Sequence, residues 1–140
     1  MHSWRRFFSA LVLAPLAGGV AGFIAGLIFV LFIGKESEQN WTDATMVGST
    51  LGFWALLISL AYVLVVGSAA FVYARARQRT LSLGLAFSVA FLTGAVPFTY
   101  ISFRKEVLPQ ALLLPAFALI CAFATAWTFW RVAFAESHAS

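Results

Sequence analysis

The chain has 140 residues, of which 62% are hydrophobic and 10% charged, and its nine basic and five acidic side chains give a net charge of +4. So little charge cannot clothe a soluble domain, and four long apolar runs leave no room for one beside them. Nor does the basic excess point to nucleic acid, because the lysines and arginines are strung along the edges of those runs instead of forming one face.

No Asp, Glu, Lys or Arg occurs between Phe7 and Gly34, Ala44 and Ala74, Thr80 and Phe103, or Val107 and Trp130. Each stretch exceeds the roughly 20 residues that a helix needs to cross about 30 Å of hydrocarbon. The expected fold is all-α: a polytopic membrane protein whose residues 1–140 form one transmembrane domain, a four-transmembrane-helix bundle with spans at about 7–33, 46–74, 81–102 and 110–130.

The first span follows Arg5 and Arg6, a charge pattern shared with secretory signals. Signal cores are about 7 to 15 residues long, whereas this run continues to Ile33, so retention as a helix is expected. A twin-arginine export signal is disfavoured, since Trp4 separates Ser3 from the arginine pair and no soluble cargo follows. At 1.5 Å per residue the span is about 40 Å long, which implies tilt or extension into the interface. Within it, Pro15 interrupts the backbone ladder, and Ala10, Ala14, Gly18, Gly22 and Gly26 recur every fourth residue as a stripe along one face. Small residues let helix backbones approach closely, and in lipid that packing supplies much of the association energy. The stripe is therefore a predicted interface, and its spacing leaves open whether the second span, an identical protomer or another protein lies against it.

The second span repeats the spacing in Gly48 and Gly52, at the depth of Gly26 on an antiparallel neighbour, which permits a close first-second hairpin. Just before it, Asn40-Trp41-Thr42 matches a glycosylation sequon, only a few residues from the membrane, that chance explains better. After it come Arg75, Arg77 and Arg79, read as a cytoplasmic anchor that also seats the chain on anionic headgroups. Thr80 or Ser82 is the expected N-cap of the third span.

The outer end of the third and fourth spans is irregular. Pro97 frees the carbonyl of Thr93, and Pro115 that of Ala111. In an antiparallel hairpin these breaks share one depth, which makes Thr93, Pro97, Tyr100, Arg104, Lys105 and Pro115 a candidate outer-leaflet polar pocket. Its two cations would meet an anionic headgroup or ligand, or pair with Glu36, Glu38 and Asp43, the ordinary fate of exposed charge clusters. Pro109 costs nothing at the start of the fourth span. Ala118, Ala122 and Ala126 give that span a small-residue face, and Cys121 reads as a packing residue.

Arg5, Arg6, Arg75, Arg77, Arg79 and Arg131 fall on one side, and Lys35, Arg104 and Lys105 on the other among four acids. The positive-inside rule then places both termini in the cytoplasm, N-in and C-in. Trp4, Tyr73, Trp127 and Trp130 mark the same interface, and Trp41 and Tyr100 the opposite one.

The spans contain no ionisable acid or base for a proton relay, and His2 and His138 are too near the termini to ligate haem in a bundle. Neither HExxH nor GxSxG occurs, so no enzyme, cofactor or metal is expected. Any acid and base would have to come from Glu36, Glu38 and Asp43.

The passage Gly67-Ser68-Ala69-Ala70-Phe71-Val72-Tyr73-Ala74-Arg75-Ala76-Arg77, followed by Gly94-Ala95-Val96-Pro97-Phe98, resembles small, uncharacterised four-helix inner-membrane proteins of bacteria. The resemblance implies a bacterial inner-membrane location and no activity. The expected function is interaction: a non-enzymatic accessory subunit or immunity-type protein whose partners are membrane lipids and a membrane protein or second copy. The alternative is a homo-oligomeric channel or carrier for a neutral, anionic or lipidic solute, motivated by Pro97, Pro115 and the outer cations.

Overall fold

The computed structural model describes residues 3–33, 41–77, 82–104 and 113–134, which are helical almost throughout. Helix α1 (Trp4–Ile28) starts three residues before the predicted Phe7 because Ser3 caps it. Ser3 is extended, its Oγ accepts the Arg5 N–H at 3.3 Å, and its carbonyl accepts the Arg6 and Phe7 N–H groups. The helix runs on through Pro15, which lacks the donor that would reach Leu11. It then widens into a π turn, Phe29–Ile33.

The next rod is continuous from Trp41 to Arg77, longer at both ends than the predicted 46–74. It comprises α2 (Trp41–Tyr62), a π turn (Val63–Gly67) and α3 (Ser68–Arg77). Asp43 in its first turn and Arg75 and Arg77 in its last oppose the helix macrodipole, which extends the rod past its apolar stretch. At the π turn the Ser68 N–H bonds to the carbonyls of Val63 and Val65, the former five residues back. Helix α4 (Leu83–Arg104) is capped by Ser82, whose Oγ accepts the Leu85 N–H at 3.3 Å. Helix α5 (Leu113–Phe134) ends with Arg131 in its last turn.

Among the described residues, three helices are long and apolar enough to cross a membrane: Trp4–Phe32, Trp41–Arg77 and Ala116–Phe134. Within α4 the described residues form a shorter apolar helix, Leu83–Gly94.

The helices make a four-membered ring in chain order with three packed sides. α1 packs most extensively on α2, α5 packs on α1, and α4 packs on α5. The fourth side, between the second rod and α4, is a seam that is hardly packed among the described residues. At the end where α1 begins and α5 finishes, the packed sides meet in an aromatic core. Phe7 stacks on Phe71 with centroids 4.6 Å apart, and Phe129 and Phe134 close around them edge-on or tilted. Phe71 is completely buried there, on a floor of Ala10, Ala14, Ala74 and Ala133. Toward the other end the aromatic residues give way to glycine and alanine, so α1 and α2 draw together.

Truncating the central ring should therefore cost far more than truncating a peripheral one. Phe71→Ala is expected to lose about 3 kcal/mol, the low end for a buried aromatic residue, because apolar surroundings soften the transfer contribution. Phe8→Ala, at a residue 60% exposed, should stay within about 0.5 kcal/mol of wild type in the same denaturation series in micelles.

Candidate functional site

The stripe on α1 meets α2 of the same chain. A Cβ on Gly22 would lie 2.6 Å from the Ala55 Cβ and 3.2 Å from the Leu51 carbonyl oxygen. One on Gly26 would lie 2.8 Å from the Gly48 Cα, and one on Gly52 3.0 Å from the Gly19 carbonyl oxygen. The two backbones are thus in direct contact, with glycine Cα–H groups facing carbonyl oxygens across the gap, an arrangement that weak Cα–H···O attraction favours. Gly18, Gly22, Gly26, Gly48 and Gly52 are brought together in this crossing. Ala14 lies apart from it, in the aromatic core.

The crossing ends in a buried polar knot. At Gly18 a Cβ would collide with the Ser59 hydroxyl and come within 2.5 Å of Thr125 Oγ1. Thr125 Oγ1 lies 2.9 Å from Ser59 Oγ and 2.8 Å from the Cys121 carbonyl oxygen. A threonine hydroxyl has one proton, so both contacts are made at once when Thr125 donates to Cys121 and accepts from Ser59. Three helices thereby share one pair of hydroxyls in an otherwise apolar interior. The sequence reading missed Gly19, Ala55 and Ser59 in this contact. The signal for Ala55 and Ser59 lay in the spacing Gly48, Gly52, Ala55, Ser59, which alternates steps of four and three and so holds one helix face.

The candidate outer pocket is only partly visible. Lys105 and the side chains of Pro97, Arg104 and Pro115 lie outside the described residues, as do Glu36 and Glu38. Tyr100 is exposed. Thr93 donates to the Val89 carbonyl at 2.6 Å and interacts with the Tyr62 hydroxyl, which ties it to the second rod across the seam. Of the arginine anchor, Arg75 lies with its guanidinium carbon 5.1 Å from the centre of the Trp4 ring, Arg77 is exposed, and Arg79 lies outside the described residues.

The seam itself holds a cleft of about 80 Å³ that sequence reasoning did not anticipate. The end of α2, the π turn and α3 form one wall with Tyr62, Val63, Val66, Gly67 and Ala70; α4 forms another with Leu85, Ala86 and Val89; α5 supplies the floor, including Ala126 and Phe129. Small residues at Gly67, Ala70, Ala86 and Ala126 are what keep it open. Gly67 in particular faces the Phe129 ring, 3.1 Å from where its Cβ would stand. Among the described residues, no three His, Cys, Asp or Glu side chains gather in a way that would hold a metal ion. The chain matches no protein-family model, no curated protein and no solved structure.

Two measurements probe the crossing and its knot. Gly22→Leu should open the hairpin itself, seen as loss of protection of the α1–α2 amides in hydrogen exchange; unchanged protection would refute the close contact. Ser59→Ala and Thr125→Val should each cost about 1 kcal/mol, with a coupling near 0.6 kcal/mol in a double-mutant cycle. Strict additivity would mean that the two hydroxyls do not act together.

Proposed function

We propose that this is a non-enzymatic integral membrane protein of the bacterial inner membrane, with both termini cytoplasmic, that acts as an accessory or immunity-type subunit through helix-helix interaction. The observation that carries the reading is the open flank of α4. That helix is held by α5 through Phe87, Ala90 and Gly94, while Gly84, Ser88, Phe91 and Leu92 lie along a different face. Apart from its chain neighbours and its own helix backbone, nothing among the described residues stands within 4 Å of where a Gly84 Cβ would be, and Ser88 is exposed with its hydroxyl turned back to the Gly84 carbonyl. Gly84 and Ser88 give this face a small-residue patch bordered by Phe91 and Leu92, and among the described residues no helix packs on it. The outer face of α2 carries the bulky side chains of Met46, Phe53, Trp54 and Ile58.

The α1 stripe, by contrast, is occupied within the chain, so a partner would bind at α4 and not at Gly22. The distribution of basic residues supports the orientation, and the alanine-rich, arginine-over-lysine composition supports a bacterial membrane. Three long apolar helices support insertion.

Purified from native membranes in mild detergent, the protein should carry a second membrane protein or a second copy in stoichiometric amount, identified by mass spectrometry. Gly84→Leu should reduce that association about tenfold, equivalent to ~1.4 kcal/mol, without changing the melting of the chain itself. A wild-type protein recovered as a lone monomer would overturn the reading.

A further inference from the structure

The seam cleft is apolar along nearly its whole lining, and its geometry tells against water as the filling. Water in a cavity needs two to four polar partners. Here the side-chain polar groups of the lining are two, the Tyr62 hydroxyl, which is engaged with Thr93, and the Trp130 indole N–H. An unfilled recess would leave its walls without dispersion contacts on one side. Because the recess lies between two helices that do not close on each other, it is open sideways, toward the hydrocarbon in which the proposed membrane placement sets it.

Charge gives the recess a direction. Gly67, Ala70, Ala74 and Arg77 follow one another at steps of three and four, so Arg77 lies on the cleft face of the rod, about 10 Å beyond Ala70 along the axis. Arg131 shares the last turn of α5 with the lining residues Trp130 and Phe134, beside the cleft face instead of on it, and both arginines are exposed. No acidic residue lies between the cleft and these cations on either helix. An aliphatic slot with cations at one end is complementary to a chain with an anion at one end.

We propose that the seam between the π turn of the second rod and α4 holds one acyl chain of an anionic phospholipid, with the lipid phosphate on Arg77 and Arg131. The π turn contributes by widening the rod where the chain lies and by setting Tyr62 toward Thr93 at the inner limit of the slot. The lipid would then fill the fourth side of the ring, joining α4 to the second rod beyond the Tyr62–Thr93 contact. This inference rests on the membrane placement proposed above, but not on the partner-binding flank of α4.

The test is lipid retention by the full chain. Protein reconstituted in vesicles of equal phosphatidylglycerol and phosphatidylcholine, then extracted in mild detergent, should retain one phosphatidylglycerol per chain in native mass spectra. Ala86→Trp and, separately, Leu85→Trp should each fill the slot and lower retention at least tenfold. Arg77→Gln combined with Arg131→Gln should abolish the preference for phosphatidylglycerol over phosphatidylcholine while the slot still accepts a chain. Equal retention of the two lipids by wild type, or full retention by both tryptophan variants, would overturn the lipid site. Failure of the wild-type chain to enter vesicles would overturn the membrane reading as well, whereas normal insertion without a retained lipid defeats the lipid site alone.

Discussion

The rest of the fold depends on the contact of two backbones at Gly18 to Gly26 and Gly48 to Gly52. With side chains in the way, α1 and α2 would stand 8–10 Å apart, as ordinary helices do. Without them, a carbonyl on one helix reaches the Cα of the other, and Gly48, Gly52, Ala55 and Ser59 become a single continuous seat for α1. That closeness has a second effect at the far end of the seat. It carries Ser59 past α1 to the hydroxyl of Thr125 on α5, so the crossing positions a third helix as well as the second. A cysteine carbonyl one turn back on α5 then accepts the remaining proton, and the knot is closed without any charged group.

The two halves of the bundle are built by different means. Where α1 begins, bulky rings fill the space between helices, and Phe7, Phe71, Phe129 and Phe134 set the spacing through their stacked and edge-on contacts. Toward the turn between α1 and α2 the same helices are held by the absence of side chains. The seam between the second rod and α4 lies directly beside the aromatic core, with Phe129 and Phe134 common to both.

Much of this was legible in the chain, for reasons that differ by feature. Charge-free runs gave the four helices, because a charged side chain is excluded from an apolar run wherever that run lies. The ends were less legible: Ser3 starts α1 early, and Asp43 and Arg77 extend the second rod, through backbone and dipole effects that hydropathy does not register. The period of Gly18, Gly22 and Gly26 was readable, but its partner was not, since spacing describes one face and not what lies against it. The π turns were hidden altogether. Val63 to Gly67 is as apolar as its surroundings, and the widening comes from which carbonyl the Ser68 N–H selects.

That hidden turn links the packing to function. An α-helical Val63 to Gly67 would keep the faces before and after it in fixed rotation, so the face that seats α1 at Ser59 would set the direction of Ala70 and Arg77. A π turn inserts a residue's worth of rotation between the two. The rod can therefore bind α1 with one face above the turn and present a small-residue slot to α4 below it, while Phe71 still reaches the aromatic core. A single straight α-helix would have to give up one of these contacts, and the position of the turn, beside the cleft and one residue after Tyr62, is where that conflict falls.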